Sequence, residues 1–139
     1  MKNKLHQLFK KLDKSLALLV KKRDGNKCIT CKKRIENKSN LHAGHFKSRR
    51  FMSTRFHPFN VNSQCGFPCN LFRHGDEYTY SIELDKKYGE GTARKLHLLS
   101  TNIKQCEKQT PRSAREIEKL LEACKQGLKA YEKAYFGEK

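Results

Sequence analysis

Two cysteine pairs dominate the middle of the chain, Cys28-Ile29-Thr30-Cys31 and Cys65-Gly66-Phe67-Pro68-Cys69. Between them stands His42-Ala43-Gly44-His45, and Asn70 follows the last cysteine directly. Four thiolates at such spacing suit a tetrahedral zinc ion, and a closed four-sulfur site leaves no open position for chemistry. The zinc expected at Cys28, Cys31, Cys65 and Cys69 is therefore structural. The histidines and the asparagine suit another task. Hydrolysing a phosphodiester needs an activated water, a cation against developing charge and an oriented phosphate. A neutral imidazole with a pKa of about 6.5 takes a proton from water at neutral pH. The Asn70 carbonyl is a hard ligand suited to magnesium. Asn70 and His74, four apart, would share one helix face. His42 and His45, three apart, would point to opposite faces of a straight strand, and a bulge at Gly44 would turn both inward.

Basic side chains crowd the same stretch. Lys47, Arg49, Arg50 and Arg55 interleave with Phe46, Phe51 and Phe56, a pattern able to clamp phosphates on either side of a cut. The whole chain shares the bias: 31 Lys+Arg against 14 Asp+Glu give a net charge of +17 over 139 residues. Such a field calls for a polyanion, with nucleic acid ahead of an anionic membrane. No apolar run reaches the roughly 18 residues of a membrane span. The basic N-terminus has apolar residues at helical spacing and no small-residue cleavage site after them, so no signal peptide is expected. Without secretion, the six cysteines fit metal binding and free thiols better than disulfides. Cys106 and Cys124 lie outside the paired spacing and are expected to be small apolar side chains.

The elements that must position these groups follow from periodicity. Leu5, Leu8, Phe9, Leu12, Leu16, Leu19 and Val20 predict an amphipathic helix over Asn3–Lys22, stopped by Asp24-Gly25-Asn26. A metal-stapled centre follows over residues 26 to 75. It holds a knuckle at Cys28–Cys31, a strand near Leu41–Phe46, a loop through Arg55 to Asn60, and a short helix from near Cys69 to Gly75. Tyr78 to Tyr88 is expected to be a helix ending at Gly89, with a second over Thr92 to Leu99. Ser113-Ala114-Arg115-Glu116 is a capping-box pattern, and Thr110-Pro111 is another candidate start. Ile117, Leu120, Leu121, Cys124, Leu128 and Tyr131 then form one stripe. The two terminal helices should pack together and hold the centre.

The motifs resemble the HNH-type nucleases of the ββα-metal fold, and more closely the Rap/NinG recombination endonucleases of lambdoid phages. The resemblance runs over roughly residues 20 to 131. It is carried by Cys28-Ile29-Thr30-Cys31, Ala43-Gly44-His45-Phe46, Arg55-Phe56 with Asn60, Gln64-Cys65, Cys69-Asn70 and Gly75. It implies a structure-selective endonuclease acting on branched recombination intermediates, of Holliday-junction or D-loop type. It implies His45 as the general base, Asn60 as the residue bracing the loop and orienting His45, and Asn70 as a ligand of the divalent cation. Two positions depart from the family pattern. The second cysteine pair has three intervening residues rather than two, and position 42 is His rather than Asp. With His42, and with His74, transition ions such as manganese, nickel or zinc become suitable alongside magnesium.

The expectation is an α+β chain, a single domain over residues 1 to 139. An N-terminal helix (1 to 24) and a helical C-terminal part (76 to 139) flank a zinc-stapled ββα-metal, HNH-like core (25 to 75). It would hydrolyse DNA phosphodiesters with one Mg2+ or Mn2+ beside the structural Zn2+, in the cytoplasm of a bacterial host cell if phage-encoded. A homodimer would allow paired cuts across a junction. The alternative is a zinc-dependent module that binds branched DNA without cutting it. A third class, an RNA-binding or antirestriction-type protein, has only the charge in its favour. The His45/Asn70 pair separates the readings, because binding alone does not need it.

Overall fold

The structure, a computed structural model, describes residues 2–102, 111 and 113–137. Cys106 and Thr110 lie outside these. Helix α1 spans Lys2–Asp24, slightly longer at both ends than its apolar periodicity predicts. Leu8, Leu12, Leu16 and Val20, each four residues after the last, form its buried stripe. Gly25 and Asn26 then both adopt positive φ, which ends the helix. Among the described residues no helix is long and apolar enough to cross a membrane.

Strands β1 (Leu41–His45) and β2 (Val61–Cys65) pair antiparallel, from Leu41 opposite Cys65 to His45 opposite Val61. The register runs without a break, so the expected bulge at Gly44 is absent. Glycine is needed there for another reason: a Cβ would lie 2.2 Å from Oε1 of Gln64, which crosses that face of the sheet. Strand β2 has no sequence signature because all five of its residues are buried, and three of them are Asn62, Ser63 and Gln64. The two amide nitrogens are bonded internally, while Ser63 Oγ and Gln64 Oε1 are buried without a hydrogen-bond partner among the described residues. Gln64 Nε2 donates to Gly75 O at 2.8 Å, and Asn62 Nδ2 donates to Phe59 O at 2.8 Å.

A short helix α2 (Met52–Arg55) stands within the stretch expected to be loop. The helix expected from Cys69 to Gly75 does not form. Instead Gly66–Asn70 makes a wide helical turn with Phe67 in an extended conformation, and turns continue to Gly75. His74, Gly75 and Asp76 all take positive φ, which interrupts any helix there. Helices α3 (Glu77–Tyr88) and α4 (Thr92–Thr101) match expectation. Helix α5 (Ala114–Gln126) starts at Ser113, whose hydroxyl accepts the Glu116 N–H at 3.2 Å. The C-terminal stripe was expected to continue to Tyr131 without a break. It is cut at Gly127, φ 114, and resumes in α6 (Leu128–Phe136).

The terminal helices do pack together. Ile117, Leu120 and Tyr131 join the α1 stripe, Phe56 and Val61 in one core, with Cys124 against its edge. Truncating a fully buried leucine such as Leu12 in this core costs about 2 to 5 kcal/mol. Tyr131 also donates its hydroxyl proton to Phe56 O at 2.6 Å, tying α6 to the loop before β2. A second cluster joins Phe46, Tyr80, Leu84 and Leu96 on the other side of the sheet.

His57 belongs to this packing. It is buried against Phe59, Tyr135 and Phe136, and its Nδ1 accepts the Phe59 N–H at 3.1 Å. Burial, with Lys95 second, pushes its pKa down from 6.5 to about 3. The folded value lies below the unfolded one, so stability is complete above pH 6.5 and falls as acid protonates the unfolded chain first. The slope from this group approaches about 1.4 kcal/mol per pH unit. Denaturant unfolding between pH 7 and 4.5 should show that fall, and His57→Asn, which keeps an acceptor for Phe59, should flatten it by up to that amount. An unchanged slope in the variant would contradict a neutral buried His57.

Candidate metal and catalytic site

Cys28 and Cys31 sit on a tight hairpin just after α1. There Cys28 N–H bonds Lys33 O at 3.0 Å, Lys32 N–H bonds Cys28 O at 3.0 Å, and Lys32 takes positive φ. Ile29 N–H bonds Ser63 O at 2.9 Å and fixes the hairpin to β2. Cys65 ends β2 and Cys69 lies in the following turn. All four sulfurs fall within 4.8 Å of one another. Cys31 Sγ and Cys65 Sγ are 3.9 Å apart. Bonds of 2.3 Å in a tetrahedron would place sulfurs about 3.8 Å apart, whereas a disulfide needs about 2.05 Å. The extra residue in the second pair is absorbed by the wide turn. Burial alone would raise the Cys28 thiol, but hydrogen bonds from Thr30 and nearby backbone N–H groups bring it down to about 6. Burial, then Cys65 and Cys28 alongside, pushes Cys69 up to about 12. Thiols packed this closely oppose one another's ionisation, and a central cation would offset that repulsion. The four cysteines could hold a zinc ion.

The same turn places Asn70 against β1. Asn70 Nδ2 lies 3.0 Å from His42 Nδ1, so the ring nitrogen accepts and carries no proton. Asn40, just before β1, clamps the turn from both sides. Its Oδ1 accepts Phe67 N–H at 2.8 Å and its Nδ2 donates to Phe67 O at 3.1 Å. A Cβ at Gly66 would sit 2.6 Å from His42 Nε2, so only glycine lets the ring lie against this backbone. Asn40 and Gly66 escaped the sequence reading, although Gly66, inside the second cysteine pair, carried a local signal.

His45 ends β1. Its Nε2 lies 3.1 Å from Arg55 O. A carbonyl cannot donate, so Nε2 carries the proton and Nδ1 keeps a free lone pair. Arg55 is held in turn by Asp13 of α1, with Nε to Oδ1 at 3.1 Å and Nη2 to Oδ2 at 2.5 Å. Asp13 was not legible from the sequence, because a lone acid on a lysine-rich helix face has no pattern. Burial, reinforced by the charges of Arg49 and Arg55, lowers the His45 pKa to about 4 despite Asp13 and the Arg55 carbonyl. Asn60 is fully buried and braces the loop after β1: Oδ1 accepts Lys47 N–H at 2.8 Å and Nδ2 donates to Lys47 O at 3.0 Å. It orients His45 only through this backbone, while the direct bond to the ring comes from Arg55.

A family model described as Bacteriophage Lambda NinG protein matches residues 1–134. The chain belongs to the NinG family. The match takes in the whole of α1, beyond the motif-bearing stretch. No curated protein and no solved structure matches the chain.

In this NinG-family chain, His42, His45 and Asn70 line one groove of about 700 Å³, together with Lys10, Asp13, Lys14, Lys21 and Arg49. His74 is not brought to that group. It lines a second hollow of about 370 Å³ with Arg50 and Glu77, and His45 stands between the two. Of the four cations singled out, Arg49 and Arg50 are exposed. Arg50 lies over the Phe51 ring. Lys47 is paired with Glu77 at 2.5 Å, and Arg55 is committed to Asp13. Of these four only Arg49 lines the groove, and its other cations come from α1, where Lys10, Lys14 and Lys21 share a face.

Two measurements check this geometry. Elemental analysis should find close to one zinc per folded chain, and strong chelation or Cys69→Ser should unfold it; a folded, metal-free protein would overturn the assignment. Nitrogen-15 NMR of the histidine rings should find His45 neutral, with its proton on Nε2, from pH 7 down to about pH 5. An Nδ1-protonated ring, or titration near 6.5, would contradict the Arg55 contact.

Proposed function

We propose that this chain is a divalent-metal-dependent endonuclease that cuts DNA at branched structures. The observation that carries the proposal is the convergence of His42, Asn70 and His45 on one cation-lined groove. Turning the Asn70 amide places Oδ1 where Nδ2 now faces His42, and the two residues then offer one nitrogen and one oxygen to a cation. Magnesium and manganese both suit that pair, with manganese favoured by the imidazole. A divalent ion bound there supplies positive charge against the phosphate oxygens. His45 supplies the base: its Nδ1 is unprotonated at neutral pH and takes a proton from the attacking water. Arg49 and the α1 lysines hold the phosphate strand, and the structural zinc at Cys28, Cys31, Cys65 and Cys69 keeps Asn70 in place. HNH-type chemistry and the choice of branched DNA rest on the motif resemblance, to which family membership lends support.

The test is paired. Removing the base should lower single-turnover cleavage of a four-way junction in His45→Ala by about 10²- to 10⁴-fold, with junction affinity within a few-fold of wild type. Asn70→Ala should lose cleavage similarly and recover part of it at high manganese. In both variants affinity should fall steeply with salt. Equal cutting by His45→Ala would remove His45 from its role. A wild type that cuts no branched DNA with any divalent ion would leave a DNA-binding module instead.

A further inference from the structure

The cysteine-held turn carries more than Asn70. Phe67, Leu71 and Phe72 are 64%, 65% and 69% exposed and sit within six consecutive residues. The other large exposed apolar side chains among the described residues are spread over α1, α3, α4 and α6. The Phe67 and Phe72 rings lie with centroids 5.7 Å apart, tilted by 57°. The backbone beneath them is fixed. Leu71 N–H bonds Gly66 O at 2.8 Å, Arg73 N–H bonds Pro68 O at 2.8 Å, and Gly75 N–H bonds Cys69 O at 2.9 Å. Asn40 holds Phe67 from both sides. Apolar rings presented on a rigid support, outside any core, mark a binding surface.

The surroundings name the occupant. Arg73 stands exposed beside Phe72. The groove lined by Lys10, Lys14, Lys21 and Arg49 meets the turn at Asn70, and the chain carries +17 overall. Aromatic faces set among cations suit nucleic acid whose bases are open to stacking. In a continuous duplex those faces are covered by neighbouring pairs; at a branch point or in a single-stranded segment they are not. We propose that Phe67 and Phe72, with Leu71 beside them, stack on base faces exposed at a DNA branch, and that this contact supplies the preference for branched over linear DNA. The inference deepens the reading above and depends on it for the DNA substrate, but not for cleavage.

Binding measured without catalytic metal tests it. A four-way junction carrying 2-aminopurine at the branch point is titrated with wild type, Phe67→Ala, Phe72→Ala and Phe72→Tyr, against linear duplex at equal salt. Both rings are solvent-exposed, so the variants should retain zinc and helical content. Wild type should change the branch-point fluorescence. Each alanine variant should lose about 5- to 150-fold in junction affinity, with duplex affinity within about twofold, and Phe72→Tyr should keep both signals. Equal losses on junction and duplex would overturn the inference. So would unchanged junction affinity in both alanine variants, which would leave the patch to a protein partner. A wild type that binds junctions through these rings but never cuts overturns the nuclease reading alone. A wild type that cuts junctions while the ring variants keep full selectivity overturns the stacking surface alone.

Discussion

The convergence of four sulfur atoms is the constraint on which the rest of the centre depends. Cys28 and Cys31 arrive on a hairpin pinned to β2, and Cys65 and Cys69 arrive from the end of β2 and the turn beyond it. Two weakly structured stretches, neither helix nor long strand, thereby become one rigid unit. A small centre of this kind buries too little apolar surface to hold such loops by packing alone. Asn70 owes its position against His42 to this closure, because it follows Cys69 directly. Phe67 owes its rigid exposure to the same turn.

Helix α1 serves two faces at once. Its leucine stripe enters the core with α5 and α6, while its polar face forms a wall of the groove with Lys10, Asp13, Lys14 and Lys21. Asp13 links the two roles. It pins Arg55, whose carbonyl holds His45 Nε2. A largely buried ion pair gains little net stability, so its clearer effect is geometric: it fixes which imidazole nitrogen stays free. The family match over residues 1–134 includes α1.

Much of this was legible in advance, for physical reasons that differ by element. Helix α1, α3, α4 and the start of α5 followed from 3.6-residue periodicity and a Ser113 cap, both local properties. The cysteine quartet followed from residue type and spacing, as did the nearness of His42 and His45 to Asn70, but His74, expected with them, lines another hollow. Strand β2 was not legible, because three of its five buried side chains are polar and the bonds that Asn62 and Gln64 make are tertiary ones that no window of sequence displays. The Cys69–Gly75 helix was wrongly expected because positive φ at His74, Gly75 and Asp76 leaves no signature beyond one glycine. The break at Gly127 was visible as a glycine, but the apolar stripe on both sides outweighed it. Long-range partnerships, Asp13 with Arg55 and Asn40 with Phe67, required the fold.

One divalent cation is proposed to bind between β1 and the cysteine-held turn. Anomalous diffraction at the manganese edge, from wild-type crystals grown with manganese, tests it most directly. The account predicts a peak in the groove beside His42 and Asn70, separate from the zinc at the four cysteines. A peak beside His74 with none at His42 and Asn70, in protein that still cuts DNA, would contradict it.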